Sequence, residues 1–334
     1  MDRQPIDIRH IWEARRRIRP LVGKTPLVES EELSRLAGGP VFLKMETHHE
    51  IHAFKIRGAA NKILRLAPED RKRGVTTFST GNHGMAVASI ARRLDIPAVI
   101  CVSRNVPAAK TEAIRRLGAK LHVHGESQDE AESACYRLQR EEGLSVIPPF
   151  DDPDIIAGQG TIGLELMEDL PELQTAVIPL SGGGLLAGIG MAVKTNQPDS
   201  RVIGVTMEGP AVMHYSLKEG KPLVMRETAT LADSLLGGIG TRNRYTFDMV
   251  RHYADDSVLV SENQIVEGIA FLLNHHRTLA EGAAATTVAA VLSRKFSFDG
   301  KPAVLIISGA NIDSSTLFET LEKASRSSYP NSTG

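Results

Sequence analysis

An α/β fold built as two doubly wound sheets is predicted for this chain of 334 residues, on three observations. Short β-branched runs alternate with longer amphipathic or small-residue stretches, the pattern of βαβ units with parallel strands. The alternation falls into two series, one ending near residue 142 and one beginning near residue 145. The length is ample for a large core, and 42% hydrophobic with 24% charged residues indicates neither disorder nor a fibrous repeat.

Taken in order, residues 8–18 read as an amphipathic helix with arginines on its outer face, and 25–28 as an extended lead-in. Residues 41–45 read as a strand and 55–66 as a helix. Strands at 76–79, 98–102 and 120–123 follow, separated by helices at 83–94, 108–117 and 127–142. The second series opens with a strand end at 146–148, and a helix at 160–170 leads into a strand at 176–180. After it come a helix at 185–194, strands at 202–206 and 257–260, helices at 262–275 and 283–295, and a strand at 303–307. A helix at 314–324 precedes a polar tail, 325–334, expected to fray. No repeat of fixed period and no low-complexity segment interrupts the body.

A net charge of −1 gives no global field to draw in nucleic acid or an anionic membrane, so a small-molecule partner is expected. The two cysteines, Cys101 and Cys135, cannot make a disulfide framework and are expected as buried free thiols in a reducing cytoplasm. The start, Met1-Asp2-Arg3-Gln4-Pro5, has no apolar core, and no run approaches the roughly 18 apolar residues of a membrane helix. Export and membrane insertion are therefore not expected.

Four segments carry the chemistry. In His52-Ala53-Phe54-Lys55-Ile56-Arg57-Gly58-Ala59-Ala60-Asn61 a lysine stands at a helix start. Three small-residue punctuations follow apolar runs: Ser79-Thr80-Gly81-Asn82-His83-Gly84, Ser181-Gly182-Gly183-Gly184-Leu185, and Ser308-Gly309-Ala310-Asn311. Pattern alone makes Lys55 a solvated helix-start lysine, as it makes Lys44 and Lys62 exposed ones. A lysine with three such loops is a cofactor site in outline. An amine that acts as a nucleophile must shed its proton, and burial beside a cation such as Arg57 or against an apolar wall would favour that. Gly182, Gly183, Gly184 and Leu185 open a helix, so converging N–H groups and the helix N-terminus suit a phosphate, although a turn that only packs has the same appearance. A dinucleotide fingerprint fails by one residue of spacing. Ser79, Thr80, Gly81, Asn82 and His83 lie between a strand and a helix and face the crevice above the sheet.

These four segments, in this order and spacing, resemble the fold-type II pyridoxal-phosphate enzymes, within them the threonine dehydratase and serine racemase group. The resemblance implies a tryptophan synthase beta-like fold, with a small substrate-binding domain at 70–148 inserted in a large cofactor-binding domain, 1–69 and 149–334. It implies that Lys55 carries pyridoxal 5'-phosphate as a Schiff base and takes the α-proton, with Phe54 and Ile56 as structural neighbours. Arg57 is read as a packing residue. It gives Gly182, Gly183, Gly184 and Leu185 the phosphate, Asn82 the phenolic oxygen, Ser308 the ring nitrogen, and residues 79–83 the substrate carboxylate. Ser181 stands where the group has a further glycine. Thr80 occupies the position of a racemase's second-face serine, so racemisation is not expected to dominate over elimination of water from a 3-hydroxy amino acid.

Relatives bind a divalent cation through a position matching Glu208, but the matching aspartate is His214 here, so Glu208 is a weak candidate and no metal is assigned. The pairs His275-His276 and His48-His49 lack the ligand spacing of a helix face. Residues 237–247, Gly237-Gly238-Ile239-Gly240-Thr241-Arg242-Asn243-Arg244-Tyr245-Thr246-Phe247, and 47–52, Thr47-His48-His49-Glu50-Ile51-His52, resemble the dehydratases of hydroxyectoine utilisation. The enzymatic alternative is a threonine or serine dehydratase with side racemase activity; the non-enzymatic one is a carrier or sensor of the cofactor. A homodimer is what the resemblance implies.

Overall fold

The computed structural model describes residues 6–79, 81–106 and 108–328. Among them ten strands form in chain order: β1 (Leu27–Glu29), β2 (Val41–Met45), β3 (Val75–Thr77), β4 (Ala98–Val102), β5 (Lys120–Val123), β6 (Ser145–Val146), β7 (Thr175–Pro179), β8 (Arg201–Met207), β9 (Asp256–Val260) and β10 (Ala303–Ile307). Six make one sheet in the order β1-β2-β10-β7-β8-β9, and four make a second in the order β5-β4-β3-β6. Only β1 runs antiparallel, at an edge and for three residues. Every residue of the central strands β7 and β10 is buried, which is why they read as unbroken apolar runs: helices cover both faces of the sheet.

Alternation along each strand divides the large core. Leu305 and Ile307 join Val177 and Val205 beneath the helices Glu262–His276 and Gly282–Leu292. Val304 and Ile306 face the other way, with Ala176 and Ile178, toward the helices Pro153–Asp169 and Gly184–Asn196. In the smaller sheet Val75 and Ile100 pack with the helices Lys55–Arg65 and Asn82–Arg93, while Cys101 and Cys135 lie buried and free on the opposite side. The helix Lys55–Arg65 touches both Asn82–Arg93 and Pro153–Asp169, so it is wedged between the two sheets' helical layers with Lys55 as its first residue.

A fully buried ionic cluster holds that wedge. Arg57 Nε and Nη2 donate to Glu46 at 2.7 and 2.9 Å, and Nη1 and Nη2 donate to Glu165 at 2.6 and 2.9 Å. Lys44 Nζ lies 2.6 Å from Glu165 and donates to the Thr25 carbonyl at 2.8 Å. Two fork-shaped contacts satisfy the guanidinium as only a planar donor set can. Burial works to raise the Glu46 carboxyl, and Arg57 and His49 outweigh it, holding Glu46 well below the usual carboxylate range.

Several expectations are corrected. Lys44 is not exposed but fully buried in this cluster, and Lys62 is mostly covered, paired with Asp152 at 2.8 Å and Asp154 at 3.1 Å. The strand end expected to open the second series is β6, and it pairs with β3 in the smaller sheet. The helix expected from residue 160 begins at Pro153, because Asp152 caps it by accepting from the N–H groups of Asp154 and Ile155 and proline suits a first turn. The helices Glu31–Ala37, Pro68–Arg73, Val212–Glu219 and Thr246–Tyr253 were not expected. The last helix runs to Ser328, and the remainder of the polar tail lies outside the described residues. No helix among the described residues is long and apolar enough to cross a membrane.

Candidate active site

Lys55 Nζ donates to the carbonyl of Pro149 at 2.7 Å and lies 5.2 Å from the centre of the Phe54 ring. Burial pushes its pKa down to about 8, with the carboxylate of Glu281 opposing the shift. Of the two causes the sequence left open, burial is therefore the one at work. Arg57 turns away into its carboxylates. The segment before Lys55 is stitched to the loop after β10: Phe54 N donates to the Ser308 carbonyl at 3.0 Å, and Ala310 N donates to the His52 carbonyl at 2.9 Å. Lys55 and the buried Ser308 are thereby neighbours in one structure, from residues far apart in the chain.

The glycine segment follows β7 and starts the helix Gly184–Asn196. Gly183 has φ +87°, and a Cβ there would fall 2.8 Å from Met213 and from Val250, so both backbone and space require glycine. The ring of Phe150 lies where a Cβ on Gly182 would stand, and Leu185 is buried behind the loop. The N–H groups of Gly183, Gly184, Leu185 and Leu186 meet no acceptor among the described residues, and they belong to the first turn of a helix whose N-terminus carries partial positive charge. That is an anion cup. Pro149, which receives Lys55, and Phe150, which covers the cup, are consecutive, so one segment fixes both. Asp151 continues it by accepting from the N–H groups of Arg244, Tyr245 and Thr246 at 2.7 to 2.9 Å.

Ser79 and Gly81 flank Thr80, which lies outside the described residues, and Gly81 has open space where a Cβ would stand. Asn82 and His83 begin the helix Asn82–Arg93 and are both buried. Asn82 Nδ2 donates to Glu281 Oε1 and Oε2 at 2.9 and 3.0 Å, and its Oδ1 accepts from Asn311 Nδ2 at 2.7 Å. His83 Nε2 bonds the carbonyl of Ile147 at 2.9 Å, so this nitrogen carries the proton and Nδ1 is a bare acceptor, buried without a partner. Burial, with the charge of Lys55 nearby, pushes the imidazole down to about 3, and it is neutral at ordinary pH.

Glu208 is exposed after β8, while His214 is buried with Nδ1 on Ser257 Oγ at 2.8 Å. Among the described residues no group of three or more histidine, cysteine or acidic side chains is arranged to hold a metal.

The structure thus brings Phe54, Lys55, Asn82, His83 and Ser308 into one hydrogen-bonded assembly, and joins the glycine cup to it through Pro149 and Phe150. Sequence reasoning missed Glu281 and the run Phe150-Asp151-Asp152. The signal for Glu281 was a single charge heading the apolar stretch Gly282–Leu292. For the other it was an Asp-Pro step, Asp152-Pro153, the signature of a capped helix start.

Residues 18–309 match the family model described as Pyridoxal-phosphate dependent enzyme. A Sinorhizobium fredii protein provisionally named a threonine dehydratase is 47% identical over 308 residues, 92% of this chain and 93% of its own. The L-threonine ammonia-lyase of Thermotoga maritima is 42% identical over 95% of this chain and 79% of its own. Among solved structures, maize serine racemase superposes with a TM-score of 0.90 at 34% identity, covering 97% of this chain and 99% of that one.

Proposed function

The chain belongs to the pyridoxal-phosphate dependent enzymes, in the threonine dehydratase and serine racemase group, and from that premise we propose that it is a lyase eliminating water from a 3-hydroxy amino acid, to give a 2-oxo acid and ammonia. The residues present fit the cofactor, because a half-buried amine of lowered pKa and a cup of N–H groups without acceptors are what its aldehyde and its phosphate require. When bound, pyridoxal phosphate supplies an electron sink that acidifies the α-C–H bond of an amino acid joined to it.

Lys55 would hold the cofactor covalently, Gly182, Gly183, Gly184 and Leu185 its phosphate, Asn82 its phenolic oxygen and Ser308 its ring nitrogen, with Phe54 alongside. At a pKa of about 8 a useful fraction of the Lys55 amine is unprotonated near neutrality, and in this reading it takes the α-proton. Residues 79–83, at the N-terminal end of the helix Asn82–Arg93, bind the substrate carboxylate from the smaller sheet's side, with 70–148 as the substrate-binding domain. Ser308 is neutral and would put no full negative charge beside the ring nitrogen, an environment that suits elimination over racemisation.

The observation that carries the reading is the placement of Lys55 Nζ, sunk against Pro149 beside the cup covered by Phe150. The purified protein, loaded with cofactor, should release 2-oxo acid and ammonia from members of a panel of 3-hydroxy amino acids, and Lys55→Ala should release none. Cofactor binding with no oxo acid from any member of the panel would make the chain a carrier instead. A finer reading places the substrate in hydroxyectoine breakdown. It is supported by the resemblance of residues 47–52 and 237–247, two runs that are also bonded to segments of the site, the His52 carbonyl accepting from Ala310 N and Asp151 holding residues 244–246. Preference within the panel for threonine and serine would reject it. The likeness to maize serine racemase favours side racemisation as a second activity, read out by solvent deuterium entering recovered substrate.

A further inference from the structure

Glu281 belongs to none of the segments discussed above as cofactor contacts, yet two of them bond to it. By position it caps the helix Gly282–Leu292, but its side chain makes no cap bond. The carboxylate is only 3% exposed and accepts from Asn82 Nδ2 twice and from Asn311 N at 3.2 Å. Its own N–H donates to the Gly309 carbonyl at 3.1 Å, and a Cβ on Gly309 would lie 2.8 Å from Oε1, so the loop after β10 is pressed onto the carboxyl group. A buried carboxylate bonded only to neutral groups is costly to keep. The helix N-terminus behind it offsets part of that cost. The remainder calls for a role.

Geometry supplies one. The amide of Asn82 has a donor, Asn311 Nδ2, on its oxygen and a carboxylate on its nitrogen, so it cannot turn over without facing like against like. Asn311 Nδ2 also donates to the Ile51 carbonyl at 2.9 Å, which ties the same loop to the segment leading into Lys55. We infer that Glu281 is a positioning residue for the cofactor: its ionised carboxylate locks the Asn82 amide and the 308–311 loop in the orientation that meets the ring. The inference rests on the cofactor reading given above. Burial pushes this carboxyl up to about 7, against the bond from Asn82, with Asp233 raising it further. The ionisable groups around it are Lys55, on the helix Lys55–Arg65, and Asp233, which lies in the short turn Asp233–Leu235 with Ser234. Protonation converts one acceptor oxygen to a donor and loosens the lock, so cofactor retention falls as pH drops through that range.

The test is titration of the apo protein with pyridoxal phosphate, followed by absorbance between pH 5.5 and 8.5, for wild type, Glu281→Gln and Glu281→Ala, with thermal unfolding of each apo form alongside. Glu281→Gln should weaken cofactor binding about tenfold or more at pH 8, show a shallower pH dependence than wild type between 6 and 8, where the Lys55 amine alone still titrates, and unfold no earlier than wild type. Should Glu281→Ala fail to fold, the glutamine variant, which keeps the shape and one acceptor, decides alone. Unchanged affinity and an unchanged pH profile in a folded variant would overturn the inference while leaving the lyase reading intact. Failure of the wild type itself to bind the cofactor would sink the reading and the inference with it.

Discussion

Two groups of opposite sign, the half-buried Lys55 and the buried Glu281, are each pushed toward neutrality, and both shifts are stability statements. The Lys55 amine sits at about 8 against 10.5 when unperturbed. Between these values the unfolded chain binds the extra proton, so stability rises with pH through that window, and below about 8 the full cost of charging the amine is present. Glu281 sits at about 7 against 4.5. There the folded state binds the extra proton, so stability falls as pH climbs from about 4.5 to 7. Each contribution amounts to a few kcal/mol at most. Denaturant unfolding of the apo protein across pH should therefore show the lower window flattened in Glu281→Gln and the upper one flattened in Lys55→Ala. Identical pH profiles for the variants and wild type would show that neither group carries its shift in solution. A site that costs stability in this way is the usual exchange of stability for function.

At the scale of elements, what the sequence made legible was local. Lys55 and Gly182-Gly183-Gly184 are short runs whose chemistry is written in consecutive residues, and most strands were found within a residue or two because buried parallel strands are continuous apolar runs. What the sequence hid is spread along the chain. Arg57 meets Glu46 and Glu165, 11 and 108 residues away, and nothing in a helix-start arginine announces two carboxylate partners. Lys44 within Val41–Met45 looks like the polar face of a strand until Glu165 is brought onto it by the helix Pro153–Asp169. The cluster gives the wedge helix its fixed seat, and its removal can be weighed. Arg57→Leu leaves two buried carboxylates without their main cation, so destabilisation of about 3–5 kcal/mol is expected, against less when Glu46 is replaced by glutamine in the same chain and Glu165 keeps Lys44 as its partner. Equal losses in the single and double variants, measured by urea unfolding, would mean that packing of the arginine stem matters more than its charge.

On the scale of the whole molecule, the proposed site draws residues from both sheets. The loop after β3 and the start of Asn82–Arg93 belong to the smaller sheet, the glycine cup after β7 and the loop after β10 to the larger, and the helix Lys55–Arg65 lies between. Parallel sheets present their ligand sites at the carboxyl ends of the strands, and here two such ends face one crevice. A ligand held there cross-links two units that also meet through Lys55–Arg65, through Asn82 with Glu281 and Asn311, and through Ser89 and Arg93 with Glu50. Its binding energy then appears as stability, about 2.7 kcal/mol at a hundredfold excess over the dissociation constant. It should also appear as slowed amide exchange in segments remote in sequence but joined through the site. On reconstitution with pyridoxal phosphate, the N–H groups of residues 183–186 should gain protection by acquiring an acceptor, and residues 81–84 and 308–311 should gain it at the same time because the lock through Glu281 tightens around the ring. Hydrogen exchange read by mass spectrometry on the apo and loaded protein separates the cases. Protection confined to residues 183–186 would mean that the anion cup works alone and that the two sheets are not coupled through the cofactor. Protection of all three segments, reduced to the cup alone in Glu281→Gln, is the result expected if one carboxylate holds the two halves of the site in register.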